Sequence, residues 1–171
     1  MPSLTIRAAR AADAPQITQI DAACLATGQA TFRDVSHDWS SFYAAFGSTV
    51  ALVATREARV VAWAGVSRPS AREVYAGVGE TSVYVDPALH GQGIGQRMME
   101  ALIEAAESEG FWTLTAQIFP ENKASIALHQ RFGFVALGMR RRLGRMSYGP
   151  MKGKWRDVMF LERRSSIVGT D

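Results

Sequence analysis

The stretch Glu80-Thr-Ser-Val-Tyr-Val-Asp-Pro-Ala-Leu-His-Gly-Gln-Gly-Ile-Gly95, running on into Gln96-Arg-Met-Met-Glu-Ala-Leu-Ile103, sets the plan of the chain. Thr81 to Asp86 is β-branched and aromatic, which predicts a strand that Pro87 ends. His90-Gly-Gln-Gly-Ile-Gly95 is too rich in glycine for the interior of an element. Beyond it Ile94, Met98, Leu102 and Ala105 recur at helical spacing. The plan is therefore strand, glycine loop, helix. A helix start offers N–H groups with no intrahelical partner, at the positive end of the macrodipole. Glycines let an anion approach those groups, so the loop reads as a phosphate cradle that needs no basic side chain. The plainer alternative is a tight strand-to-helix turn with no ligand.

Working outward, Leu4 to Ala8 reads as a first strand. Asp13 is placed to cap a helix with Gln16 in a capping box, and Ile17, Ile20, Cys24 and Leu25 form its inner stripe up to Gly28. Gln29 to Val35 is a loop. Ser36 is the expected cap of a second helix bearing Trp39, Phe42, Tyr43 and Phe46 as a core stripe. Thr49 to Thr55 and Val60 to Val66 form a hairpin, and Pro69 to Ala76 is irregular. Trp112 to Ile118 alternates as a half-buried strand. Asn122 to Arg131 is a short helix, and Phe134 to Leu143 and Trp155 to Leu161 are late strands. Residues 1–163 make one domain and 164–171 a mobile tail. Strands on both sides of the central helix imply one β-α-β crossover in a mostly antiparallel sheet.

The net charge of +3 over 171 residues is small. Arg140, Arg141, Arg142, Arg145, Lys152, Lys154 and Arg156 read as solvated surface or a collar for an anionic cofactor, not as a nucleic-acid interface. One cysteine, Cys24, points to a reducing cytoplasm and reads as core. No apolar run is long enough for a membrane, and no clustered ligand spacing suggests a metal.

The central stretch resembles the acetyl-CoA-binding motif of the GNAT N-acetyltransferases, Gln/Arg-x-x-Gly-x-Gly/Ala. Gly93 and Gly95 stand at its glycines, and His90 departs from its first position. Ala30-Thr-Phe-Arg33, Glu80 to Val85, Asn122 to His129 and Lys152 to Asp157 are similar to the phosphinothricin and methionine sulfoximine acetyltransferase branch, in order along nearly the whole chain.

The resemblance implies an α/β fold: a mixed, mostly antiparallel central sheet with helices on both faces and splayed fourth and fifth strands. It also implies a homodimer and acetyl-CoA as co-substrate. The Val83, Tyr84 and Val85 backbone would pair with pantetheine, and Gly91, Gln92, Gly93, Ile94, Gly95 and Gln96 would hold the diphosphate. Asn122 and Ser125 would add contacts.

The chemistry asks for a base, because an alkylamine is protonated at neutral pH. Glu80 is the candidate, opening the central strand and sharing a face with Ser82 and Tyr84. The family carries a bulge in this strand, which would disturb that alternation. His129 stands where many relatives have a tyrosine acid, and Tyr84 is the second candidate donor to the leaving thiolate. Arg33 and Arg72 are candidates for gripping an acceptor carboxylate, with Phe32 and Glu73 beside them and Trp63 and Trp155 as further possible walls.

The acceptor implied is a small amino-acid-like amine, attacked directly in a ternary complex. Rival readings are a protein N-terminus or polyamine as acceptor, a non-catalytic acetyl-CoA sensor, and a dinucleotide binder. The last lacks the G-x-G-x-x-G spacing.

Overall fold

The computed structural model describes residues 3–171. Strands β1 (Leu4–Ala8), β2 (Val50–Arg56), β3 (Arg59–Ser67), β4 (Val78–Val85), β5 (Thr113–Ile118), β6 (Val135–Arg145) and β7 (Trp155–Arg164) form one sheet of order β1-β2-β3-β4-β5-β7-β6. Only β4 and β5 run parallel. Helices α1 (Ala14–Ala26), α2 (Trp39–Phe46), α3 (Ile94–Ser108) and α4 (Lys123–Arg131) complete it. The mixed sheet with a single crossover agrees with the expectation from sequence, since a parallel pair needs a connection long enough for a helix and α3 supplies it.

The two faces follow strand alternation. On one, Ala62, Ala64 and Val66 of β3 and Val83 and Val85 of β4 meet Met98, Met99 and Leu102 of α3. On the other, Trp63 of β3 meets Phe42 and Phe46 of α2 and Ile17 and Ile20 of α1. Tyr84 packs on this second face, so Glu80, Ser82 and Tyr84 look toward α1 and α2. The β3–β4 register runs unbroken from Ala62–Val85 to Ser67–Glu80. The family bulge is therefore absent from this pair, and the alternation read from sequence holds. The α3 stripe closes on Ala106 where Ala105 was expected.

The sheet forks between β4 and β5. They pair only over Val78–Glu80 and Thr113–Thr115 and then part. Two buried hydroxyls tie the fork: Thr81 Oγ1 donates to Thr115 O at 3.1 Å, and Thr115 Oγ1 donates to Gly79 O at 3.2 Å. Gly79 is required by close approach, because a Cβ there would stand 2.3 Å from Val66 Cγ1. The splay expected from the resemblance is thus real, and Glu80 lies inside β4 at the fork, not at the strand's first residue.

Neither expected side-chain cap bond forms, although Asp13 does hold the N-cap position of α1. Asp13 precedes α1, but its carboxylate takes Arg7 at 2.7 and 2.8 Å and Arg10 N at 2.8 Å, while Gln16 Oε1 accepts from Val60 N at 2.7 Å. Asp38, not Ser36, caps α2, accepting from Ser41 N at 2.8 Å. Strand β7 runs to Arg164, beyond the expected Leu161. Ser165 is buried, with its hydroxyl on Glu107 Oε1 at 2.8 Å.

Candidate functional site

The fork opens a cleft of ≈ 610 Å³. One side is built from Val83 to Val85, the loop at Gly91 and Gly93, and Ser125, Leu128 and His129 of α4. The other is built from Gln29 to Phe32, Phe119, Leu143 and Val158. Glu80 and Gln117 stand at the fork itself. Among the described residues lining the cleft none is lysine or arginine.

The loop geometry fits an anion held by backbone. Gly91 and Gly93 have φ of 78° and 76°, where a side chain is strained, and a Cβ at either would meet nothing within 4 Å. The approach to the start of α3 is therefore open. Gly93 is the N-cap residue, with no side-chain cap bond, so the first N–H groups of α3 are free of capping. Gly95 is different: a Cβ there would touch Leu128 at 3.4 Å, so it serves the approach of α4 to α3. Gln92 turns to Arg56, with Oε1 accepting at 2.7 Å, and does not line the cleft; Ile94 is buried against the sheet. Gln96 lines the cleft as expected.

Beyond the fork, the side of β4 that faces β5 has no ladder partner, which leaves the Val83 backbone groups for an added strand-like ligand, while those of Tyr84 turn to Trp63 across the β3 ladder. Val85 O already takes His90 Nε2 at 3.2 Å and the Cys24 thiol at 3.5 Å. Burial is the largest cause pushing that thiol up to about 12, so it is no nucleophile.

His129 is 4% exposed. Its Nδ1 lies 2.8 Å from Ser125 O, and a carbonyl only accepts, so Nδ1 carries the proton and Nε2 is bare. Burial lowers its pKa, so the imidazole is neutral at pH 7. Of the two roles open to His129 from sequence, supplying a proton or orienting the substrate, this geometry fits the second, with Nε2 as an acceptor. The Tyr84 phenol is pushed up to about 12, chiefly by burial and against the pull of Arg33, and keeps its proton. Asn122 caps α4 through Ser125 N at 3.2 Å and reaches Gln29 O at 3.4 Å, so its side chain is engaged in holding the cleft wall.

Several acceptor-binding expectations are corrected. Arg33 does not line the cleft; its guanidinium grips buried Asp21 bidentately at 2.7 and 2.8 Å. Arg72 and Glu73 are exposed and stand outside the lining, with Arg72 over the Tyr75 ring at 6.0 Å. Trp63 is fully buried core, and Trp155 is exposed beneath Arg142. Phe32 does line the cleft, edge-on to Phe119 at 5.0 Å.

Sequence reasoning also misplaced Arg156. It is 1% exposed, over the Phe119 ring at 3.8 Å, donating to Gly28 O and Gln29 Oε1 at 2.7 Å each and holding the loop that carries Phe32. The available signal was parity: Arg156 shares a strand face with Val158, which is buried. Gln117 was missed because its partner lies on another strand.

Among the described residues no group of His, Cys, Asp or Glu is placed to hold a metal, and no helix is long and apolar enough to cross a membrane.

Comparison with known proteins agrees with this geometry. The model of the acetyltransferase (GNAT) family matches residues 15–134. A phosphinothricin N-acetyltransferase from Alcaligenes faecalis is 32% identical, over 93% of this chain and 81% of the relative. An L-methionine sulfoximine/L-methionine sulfone acetyltransferase from Pseudomonas aeruginosa is 30% identical, over 94% of each. Among solved structures, a GNAT superfamily phosphinothricin acetyltransferase from Sinorhizobium meliloti in complex with acetyl-CoA superposes with a TM-score of 0.82. It is 28% identical, over 98% of this chain and 96% of that one.

Proposed function

Because the chain belongs to the acetyltransferase (GNAT) family, we propose that it moves the acetyl group of acetyl-CoA onto the α-amine of a small amino-acid-like acceptor. Phosphinothricin, methionine sulfoximine and methionine sulfone, named for its relatives, are the compounds to try first. The observation that carries this reading is the cleft at the fork. It joins an open, uncapped helix start to an unpaired strand edge, with a carboxylate where the two strands part.

Acetyl-CoA supplies an activated thioester. The chain's own groups do the rest. The N–H groups from Gly91 to Gln96 receive the diphosphate without any basic side chain. The Val83 backbone pairs with the pantetheine amides as a strand would. An unpaired N–H of β4 receives the charge that develops on the thioester oxygen. Glu80 takes the proton that the acceptor ammonium must lose before nitrogen attacks carbon and the C–S bond breaks. Tyr84 gives its proton to the departing thiolate and regains one from the second N–H that the attacking nitrogen loses, so the phenol ends neutral, and His129 orients the acceptor as a hydrogen-bond acceptor. The acceptor side chain sits against Phe32, Phe119, Leu143 and Val158.

One observation favours a second reading. The cleft lining offers no cation for an acceptor carboxylate, which suits an amine without one, such as a polyamine or a peptide N-terminus. We also assign the chain to a cytoplasmic homodimer, on its single buried cysteine and on the exposed apolar residues Val135, Leu137 and Met139 along the edge strand β6. Sedimentation at micromolar concentration checks the dimer.

The test of function is thiol release from acetyl-CoA across amino-acid analogues, polyamines and peptides, with Glu80→Gln beside the parent. Turnover limited to α-amino acids, lost in Glu80→Gln and partly recovered at high pH, is expected. Turnover of no amine would leave only a binding protein.

A further inference from the structure

Gln117 stands on β5 two residues past Thr115, where β4 and β5 have already parted. Its amide nitrogen lies 2.7 Å from Glu80 Oε2, and its amide oxygen lies 2.8 Å from Arg140 Nη1. A glutamine amide can usually be turned either way. Here chemistry leaves one choice, because a guanidinium only donates and a carboxylate only accepts. Turned over, the amide would set N–H against N–H and oxygen against oxygen.

Nothing else restrains the Glu80 carboxylate. Among the described residues it takes no other hydrogen bond, and no ladder bond ties its strand to β5 beyond this point. Arg140 comes from β6, the far edge of the sheet, whose residues are almost all exposed. The chain Arg140–Gln117–Glu80 therefore runs from that edge, across β7, to the fork.

We propose that Gln117 is a positioning residue for the transfer reaction. It holds one oxygen of Glu80 across the open fork so that the other faces the acceptor amine, and Arg140 sets the direction of the Gln117 amide. This rests on Glu80 as the base. A donor on Oε2 fixes the rotamer of the carboxylate and leaves its other oxygen for the acceptor, which is what a base waiting for a proton needs.

Gln117→Glu separates this from a merely structural role. It keeps an oxygen for Arg140, so a structural link survives, but it removes the donor to Glu80 and sets a second carboxylate beside it. The expected result is a kcat lower by roughly tenfold, with the acetyl-CoA KM and the Tm nearly unchanged and the acidic limb of kcat/KM moved to higher pH. Gln117→Leu moves the profile in the same direction, and Arg140→Met does so more weakly.

If Glu80→Gln abolishes turnover while Gln117→Glu and Gln117→Leu keep the parental kcat and pH profile, the positioning role is overturned and the base assignment stands. If the Gln117 variants lose activity only through a lower Tm or a higher acetyl-CoA KM, Gln117 is structural and the proposal is likewise overturned. If Glu80→Gln turns over at the parental rate, the base assignment falls and this inference with it.

Discussion

The Tyr84 ring lies flat on Trp63, with centroids 4.4 Å apart and planes within 8° of parallel. The stack joins the middle of β3 to the cleft wall and leaves the phenol half-buried, with desolvation pushing its pKa up to about 12. In the unfolded chain the same group titrates near 10. The folded state therefore prefers the protonated phenol, and this preference adds stability below pH 10 that is lost as pH rises toward 12. Each pH unit in that window costs about 1.4 kcal/mol from this group. Tyr84→Phe keeps the stack and should flatten the alkaline fall of Tm by that share. An unchanged fall would show that the phenol is not desolvated.

His129 gives the opposite sign. Burial lowers its folded pKa below the ordinary 6.5, so the folded state prefers the neutral ring. Its contribution is present above about pH 6.5 and is lost as pH falls through the folded value. His37 is also lowered, by burial and by Arg33, and must be replaced in the same background. Melting of the parent and of His129→Gln between pH 7 and pH 5 should converge on acidification. Parallel curves would contradict the assignment of a neutral, Nδ1-protonated ring.

Gly93→Ala tests the cradle. The residue has φ of 76°, so alanine costs about 1–2 kcal/mol, a loss of several degrees in Tm. The new methyl points into open space in the free protein. With acetyl-CoA bound, that space is where we place the diphosphate, so calorimetry should find a Kd weaker by roughly tenfold or more, equivalent to about 1.4 kcal/mol. An unaltered Kd would move the diphosphate away from this loop.

Arg33→Ala should act on stability. Its partner Asp21 has a side chain with 0% exposure, and stripping away the guanidinium leaves a buried carboxylate with no countercharge and only the His37 N–H as a donor, at about 3 kcal/mol or more. Arg33→Lys keeps the charge but not the bidentate grip, and should melt lower than the parent with the acceptor KM unchanged. A raised KM with an unchanged Tm would restore Arg33 to acceptor binding.

The organising motif was legible because its causes are local. Alternation from Thr81 to Val85, a proline stop, glycines at positive φ and a helical stripe each depend on neighbours a few residues away. The strand face shared by Glu80, Ser82 and Tyr84 followed from period two alone. The expected caps at Asp13 and Ser36 failed because nearby groups compete for the same bonds. The Asp13 carboxylate is taken by Arg7 and the Arg10 amide, and the capping role before α2 went to Asp38.

Charged residues were the least legible. Arg33, Arg72 and Arg156 look alike in sequence, yet one is locked to Asp21, one is in solvent and one is buried under a loop. Parity could have placed Arg156 on the buried face of its strand, but a guanidinium's partner depends on which acceptor folding would otherwise bury alone, and that is not set by spacing.

Sequence alone settled the order of strand, loop and helix, the crossover around α3 and the place of Glu80 on its strand face. Folding settled where β4 leaves β5, that Gln117 meets Glu80 across that gap, and that the cleft lining carries no cation. The difference is one of range. Backbone preferences and side-chain periodicity act within a few residues, whereas a hydrogen bond between strands 37 residues apart exists only once the whole sheet has set their separation.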